Sequence, residues 1–154
     1  MLLTRQDYIQ LLNKEGVKQK ENAIFTYILD KSEENENVIN TAKKYLNKNV
    51  LTFNEKSVID WLNSFYSCNC VITDSFHGCV FSIIFNKPFI CILNTKRGIG
   101  RFKSLMNTFK TTKDRFFKNC KDVNYELLTK DLNINYELNT FIKSSAEFLN
   151  NALK

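Results

Sequence analysis

The chain has 154 residues, of which 44% are hydrophobic and 25% are charged. This length and balance suit one globular domain with a hydrophobic core and exclude a disordered or collagen-like chain. With 4 Gly and 1 Pro, the composition also excludes a β-sandwich rich in tight turns. The net charge of +6 comes from scattered lysines and indicates a solvated surface, except between residues 96 and 121, where basic residues are denser.

Short apolar runs alternate with helical periods along the chain. Thr4 followed by Asp7 is typical of a capping box that opens a first helix, and a polar linker follows at residues 13–22. Runs rich in β-branched and aromatic residues predict strands at 23–29, 50–53, 70–73 and 89–93. Apolar stripes predict helices over 38–46, 58–66, 77–86, 99–109 and 138–152.

Strict alternation of strand and helix predicts right-handed crossovers and a parallel sheet with helices on both faces. The strands are continuously apolar, as expected when both faces of a sheet are covered. We therefore expect an α/β, Rossmann-like three-layer domain.

Neither a membrane span nor a metal site is predicted. Arg5 and Asp7 interrupt the only early apolar run, and charged residues interrupt the apolar stretch 71–93. The five cysteines lack metal-ligand spacing, and the pair in Cys68-Asn-Cys70 is too close for a CxxC motif. An odd number of cysteines among apolar residues indicates buried free thiols in a reducing cytoplasm.

The most unusual loop is Thr73-Asp74-Ser75-Phe76-His77-Gly78, which follows a buried strand and opens a buried helix. Ligands of parallel sheets bind at such loops, where helix amides attract phosphate or carboxylate. Thr73 and Ser75 supply hydroxyls, and either Asp74 or Ser75 is a candidate for the helix N-cap. We expect Gly78 to let a ligand approach the backbone closely.

His77 is the only histidine in the chain. Imidazole is the side chain best suited to move a proton at neutral pH, which makes His77 a candidate general acid or base. The alternative is a histidine with a structural or surface role.

A second candidate loop contains Arg97, Gly98 and Arg101 and follows the fourth predicted strand. Guanidinium groups bind phosphate and carboxylate through paired hydrogen bonds. Together with the histidine loop it would form an anion-binding rim. The alternative is a solvated basic turn.

These motifs together resemble the polysaccharide pyruvyl transferase family. The resemblance rests on Cys70-Val-Ile-Thr-Asp-Ser-Phe-His-Gly78, on Phe85-Asn-Lys-Pro-Phe89, and on Arg97-Gly98 followed by Arg101-Phe102, all in the expected order. It extends to Asp114-Arg115 and to the segment 2–8, and so covers most of the chain.

The resemblance implies one lobe of a fold like that of type B glycosyltransferases. Residues 1–22 would be a crossover helix and linker, and residues 23–154 a C-terminal lobe whose N-terminal partner lobe is missing. Alone, such a lobe would have little or no turnover. Members use phosphoenolpyruvate to place a pyruvate ketal on a sugar of a surface polysaccharide, without a further cofactor. The expected partners are therefore phosphoenolpyruvate, a saccharide acceptor and the other lobe, and a lipid-linked acceptor would bring the protein to the membrane surface.

By this resemblance His77 is the catalytic or donor-binding histidine, and Thr73, Asp74, Ser75, Phe76 and Gly78 help to hold the donor. Some members carry Arg two positions before the histidine, where this chain has Ser75. Either Arg97 or Arg101 would then supply the missing charge.

Two other functions remain open from the sequence. The lobe could bind a nucleotide-sugar as part of a glycosyltransferase, or recognise a sugar phosphate or a partner protein without catalysis. Nucleic-acid binding is not expected, because no helix-turn-helix, zinc or aromatic-platform pattern accompanies the positive charge.

Overall fold

The computed structural model describes residues 3–16, 22–53, 57–94 and 98–153. Within these ranges one sheet contains the strands β1 (Ala23–Tyr27), β2 (Asn49–Thr52), β3 (Cys70–Thr73), β4 (Phe89–Ile92) and β5 (Phe116–Phe117). The α-helices are α1 (Arg5–Lys14), α2 (Glu33–Leu46), α3 (Val58–Ser67), α4 (Phe76–Ile84), α5 (Gly100–Thr108) and α6 (Asn135–Ala152). In the described part of the chain, three 3₁₀ helices span Lys110–Arg115, Cys120–Asp122 and Tyr125–Leu128.

The strand order is β2-β1-β3-β4-β5, and all four neighbouring pairs are parallel. Ile24 of β1 pairs with Val50 of β2 on one side and with Cys70 of β3 on the other. This is a doubly wound order: β2 is added on one side of β1, and β3, β4 and β5 are added on the other side. The direction of strand addition therefore switches between β1 and β3. Ligands bind such sheets in the crevice at the carboxyl ends of the strands beside this switch.

Two hydrophobic clusters cover the two faces of the sheet. Phe25, Val71 and Cys91 face one cluster, which also contains side chains from α1, α3, α4, α5 and α6. Ile24, Ile72 and Ile90 face the other, which α2 and the 3₁₀ segments complete. The predicted α/β, Rossmann-like three-layer architecture is therefore confirmed.

The first helix packs onto the same core as the sheet. Thr4 and Asp7 form the predicted capping box, in which each side chain accepts a hydrogen bond from the other residue's backbone N–H. Leu12 is fully buried, and the ring of Tyr8 lies 5.5 Å from that of Phe81 in α4. Of the predicted linker at 13–22, residues 17–21 lie outside the described residues.

The region after α5 departs most from the sequence prediction, because β5 and the 3₁₀ helices were not expected. Arg115 holds this region to the sheet. Its guanidinium is buried and donates to the carbonyl oxygens of Phe89 at 3.3 Å, Leu127 at 2.6 Å and Lys130 at 2.9 Å. A strand of two residues is too short to show a hydrophobic period, and the residue that anchors it is charged. The sequence pattern therefore does not predict this strand.

Among the described residues, no helix combines the length and the apolar character needed to cross a membrane. Cys68, Cys70, Cys79 and Cys91 are buried free thiols, as expected, whereas Cys120 is partly exposed.

Candidate functional site

The junction between β3 and α4 lies at the carboxyl edge of the sheet, beside the switch in strand order between β1 and β3. Ser75 is the N-cap of α4, and its carbonyl accepts the hydrogen bond of Cys79 at 3.1 Å. The amides of Phe76, His77 and Gly78 precede that first helical bond, and such amides have no partner inside a helix. They give this edge a cluster of donors and a partial positive charge that suit an anion.

His77 is the second residue of α4, and its side chain is exposed. Its ring lies 5.8 Å from that of Phe76 at an interplanar angle of 76°. The imidazole is therefore not packed into the core but stands at the surface beside the helix amides.

Phe76 brings the two candidate loops together. The guanidinium carbon of Arg101 lies 5.4 Å from the centre of the Phe76 ring, a cation–π contact. Phe102 follows Arg101 in α5, and its ring lies 6.0 Å from the ring of Phe76. One phenyl ring thus contacts both His77 and Arg101, so the imidazole and the guanidinium share one edge of the molecule.

Of the remaining residues in the second loop, Arg97 lies outside the described residues. Gly98 has φ +80, a left-handed conformation that side chains rarely adopt, and no atom lies within 4 Å of where its Cβ would be. The glycine therefore fits a turn that leads into α5.

Two of the expected ligand-binding residues are used within the fold instead. Thr73 is fully buried, and its hydroxyl donates to the carbonyl of Tyr27 at 2.7 Å and accepts from the amide of Ser75 at 3.0 Å. A Cβ on Gly78 would lie 2.2 Å from that hydroxyl oxygen. Thr73 therefore fills the space beside Gly78, so packing alone requires a glycine there, and the buried Thr73 hydroxyl is not exposed to a ligand. The expected role of Gly78 in admitting a ligand stays a prediction.

The family model of polysaccharide pyruvyl transferases matches residues 3–96, which is more than half of the 154 residues. The chain belongs to the polysaccharide pyruvyl transferase family. The match confirms the resemblance seen in the motifs and assigns the chain to a transferase family. It contains the whole β3–α4 junction with His77, and it ends before Arg101. No curated protein and no solved structure matched the chain.

In this pyruvyl transferase chain, Asp74 links two loops of the carboxyl edge. Its carboxylate is buried and accepts from the amides of Leu29 at 2.7 Å and Asp30 at 2.9 Å. Asp74 is thus neither the N-cap of α4 nor exposed as a ligand-binding group. It fixes the loop after β1 against the loop after β3.

Asp30 extends this network to the loop after β4. Its carboxylate accepts a hydrogen bond from the side-chain amide of Asn94, and its carbonyl accepts one from Asn35 at 2.9 Å. Asp30, Asn35 and Asn94 are not among the site residues predicted from the sequence. Their positions in the sequence could have indicated two of them, because Asp30 and Asn94 each directly follow a predicted strand. Loops at the carboxyl edge of the sheet begin at such positions.

Ser75 is buried like Thr73 and Asp74, and its role in ligand binding stays a prediction. It is 3% exposed, and its side chain makes no capping hydrogen bond to α4. Within the described residues, no group of three His, Cys, Asp or Glu side chains is placed to hold a metal ion.

Proposed function

We propose that this chain is the donor-binding lobe of a polysaccharide pyruvyl transferase that uses phosphoenolpyruvate to form a pyruvate ketal on a sugar of a surface polysaccharide. The observation that carries the proposal is the contact of Phe76 with both His77 and Arg101. It joins a proton-transfer group and a fixed positive charge at the start of a buried helix, where an anionic donor binds well.

Phosphoenolpyruvate carries a phosphate and a carboxylate, so it needs two sets of donors. The free amides at the start of α4 suit one anionic group, and the Arg101 guanidinium suits the other. Arg97 precedes Arg101 by four residues and is a further candidate for the same donor. The exposed position of Arg101 beside Phe76 supports its role as the charge that replaces the arginine absent at Ser75.

Ketal formation joins two sugar hydroxyl oxygens to the donor carbon that bears the phosphate. Two C–O bonds form at that carbon, and its bond to the phosphate oxygen and its π bond to the methylene carbon break. The π electrons take up a proton at the methylene carbon, which becomes a methyl group. The two hydroxyls release two protons, of which one balances the proton gained by carbon and the other leaves with phosphate. His77 would remove a hydroxyl proton and deliver a proton to the methylene carbon, a contribution of roughly 10²–10⁴-fold in rate.

An N-terminal lobe would supply the facing wall of the cleft and much of the acceptor site. We place the reaction in the cytoplasm, where phosphoenolpyruvate is formed and where the buried free thiols remain reduced.

Thermal unfolding of the 154-residue chain tests the donor. A ligand that binds only the folded state raises the melting temperature, so phosphoenolpyruvate should stabilise the chain and UDP-glucose should not. Stabilisation by UDP-glucose alone would favour a glycosyltransferase and sink the proposal.

His77 is tested in a protein that carries both lobes. His77→Ala should abolish pyruvylation while circular dichroism shows an unchanged fold. Retained turnover in His77→Ala would show that His77 is not part of the mechanism. If the unsubstituted lobe binds phosphoenolpyruvate but gives no turnover in any two-lobed protein, the lobe is a binding module.

A further inference from the structure

A cavity of about 660 Å³ lies at the carboxyl ends of β1 and β2, beneath the first turns of α2. Its volume falls within the range of roughly 300–1,000 Å³ that is usual for small-molecule sites. We call it the α2 pocket, and its polar lining includes Thr26, Lys31, Ser32, Glu36, Asn40 and Thr52. His77, Phe76 and Arg101 do not line it.

The lining of the α2 pocket suits a ligand with many hydroxyl groups. The exposed side chains of Asn40 and Thr52 line the pocket. The buried Thr26 hydroxyl donates to the Leu51 carbonyl at 3.2 Å and lies 3.2 Å from the Thr52 hydroxyl, so it positions Thr52. Hydroxyl and amide groups both donate and accept hydrogen bonds, as sugar hydroxyls also do. Lys31 places an ammonium in the wall and Glu36 a carboxylate, so the two charges balance and favour a neutral ligand. Ile39 supplies an apolar surface.

The wall of the pocket is fixed by the network that also fixes the β3–α4 junction. Asn35 is buried, its side chain donates to the Asp30 carbonyl at 2.9 Å, and its amide donates to Ser32 at 3.1 Å. Asp30 in turn donates to Asp74, the residue that precedes α4 by two positions. Pocket and junction are therefore held at fixed positions along one edge of the sheet.

The separation of the two places follows from the strand order. The pocket lies over β1 and β2, and β3 leads to His77 on the other side of β1. Neighbouring strands are about 4.8 Å apart, and α2 and α4 pack on opposite faces of the sheet, so at least roughly two strand spacings separate the pocket from the junction. A single sugar ring in the pocket would not reach His77, whereas an oligosaccharide that extends along the carboxyl edge would connect the two places.

We infer that the α2 pocket binds a neutral saccharide unit of the same acceptor chain whose reacting unit lies at His77. The inference rests on the proposed function, because it assumes that the reacting unit is a sugar.

The test uses ¹⁵N-labelled protein and two separate NMR titrations, one with neutral methyl glycosides of glucose, galactose, mannose and N-acetylglucosamine, and one with phosphoenolpyruvate. At least one glycoside should shift the amides of Lys31, Asn40 and Thr52, and phosphoenolpyruvate should shift those of the α4 start. Glycoside shifts that occur only at α4, or nowhere up to the solubility limit, would overturn the inference. A normal glycoside response without a phosphoenolpyruvate response would overturn the proposed donor and leave the pocket in place.

Variants test the contacts directly. Asn40→Ala should weaken glycoside binding about fivefold, the effect of one lost hydrogen bond. Asn37→Ala is the matched control, because Asn37 is exposed on the same helix and does not line the pocket, and it should bind normally. If Asn40→Ala does not fold, Thr52→Val serves in its place. Equal weakening by the control, or pocket shifts caused by UDP and by no glycoside, would refute a saccharide site.

Discussion

A Cβ atom on Gly78 would lie 2.2 Å from the hydroxyl oxygen of Thr73. Thr73 cannot turn away without losing its hydrogen bond of 2.7 Å to Tyr27. Gly78→Ala should therefore lower the free energy of unfolding by about 1–3 kcal/mol, the usual cost of overpacking a core. Urea denaturation followed by circular dichroism measures this change.

Gly100→Ala is the control for that substitution. No atom lies within 4 Å of the Cβ position of Gly100, which begins α5. Alanine should be neutral there or stabilise by up to about 1 kcal/mol, because it favours a helix over glycine. Equal losses at both positions would show that Thr73 does not restrict Gly78.

Much of the fold follows from the sequence because periodicity and burial agree. The run Cys70–Thr73 is continuously apolar up to its last residue and forms a fully buried strand with the predicted bounds. Helix α2 starts earlier than predicted, at Glu33, because Ser32 caps a first turn of acidic residues that contains no apolar stripe. An apolar pattern indicates where a helix packs and not where its hydrogen bonds begin.

The site was predicted less completely, because burial assigns roles that residue type does not reveal. Thr73 and Asp74 carry groups that suit a ligand, yet their polar atoms are used by the backbone of neighbouring segments. That choice depends on strand order, which places β1 beside β3 although about 45 residues separate their contacts. The contact between Phe76 and Arg101 depends on tertiary packing in the same way.

Asp74→Asn should loosen the loop after β1. An asparagine oxygen can accept one of the two amide hydrogen bonds, but its NH₂ group would face the other donor. We expect a loss of about 1–3 kcal/mol in the free energy of unfolding and faster hydrogen exchange at Leu29 and Asp30. Asp122→Asn, at an exposed carboxylate, should change stability by no more than about 0.5 kcal/mol. Unchanged exchange at Leu29 and Asp30 would contradict the linking role.

Arg115→Met should destabilise the protein by on the order of 3 kcal/mol, because it leaves buried carbonyls without donors. Burial lowers the pKa of the Arg115 guanidinium, partly offset by Asp114 and Asp131. Lys113→Met in the same 3₁₀ helix is exposed and should stay within about 0.5 kcal/mol. Similar losses for the two variants in guanidinium denaturation would argue against an anchoring role.

The cysteines should differ in reactivity towards a thiol reagent at pH 8. Burial raises the pKa of the Cys68 and Cys70 thiols to about 12. Cys120 is partly exposed and should react first, and the buried thiols should react only as the protein unfolds. Cys120→Ser should remove the fast phase seen by absorbance, and a fast phase that persists in this variant would place a second thiol at the surface.

The same pKa shifts predict a loss of stability at alkaline pH. A thiol whose pKa is raised in the folded state stabilises that state fully below its ordinary value of 9.0, and this contribution is lost as pH rises towards 12. The free energy of unfolding should therefore fall above pH 9, and Cys70→Ala should fall less steeply. An identical slope for the variant would rule out Cys70 as a source.

Arg101→Gln should weaken phosphoenolpyruvate binding about tenfold, because a charge-assisted hydrogen bond contributes roughly 1.5 kcal/mol. Phe76→Leu keeps an apolar side chain but removes the ring that contacts the guanidinium, so a loss of about twofold to fivefold is expected. Lys103→Gln removes an equal charge from an exposed position two residues further along α5 and should have little effect. Isothermal titration calorimetry at constant ionic strength separates a specific contact from general attraction, because salt screens the latter. If Lys103→Gln weakens binding as much as Arg101→Gln, diffuse charge attracts the donor and the contact between Phe76 and Arg101 does not define its site.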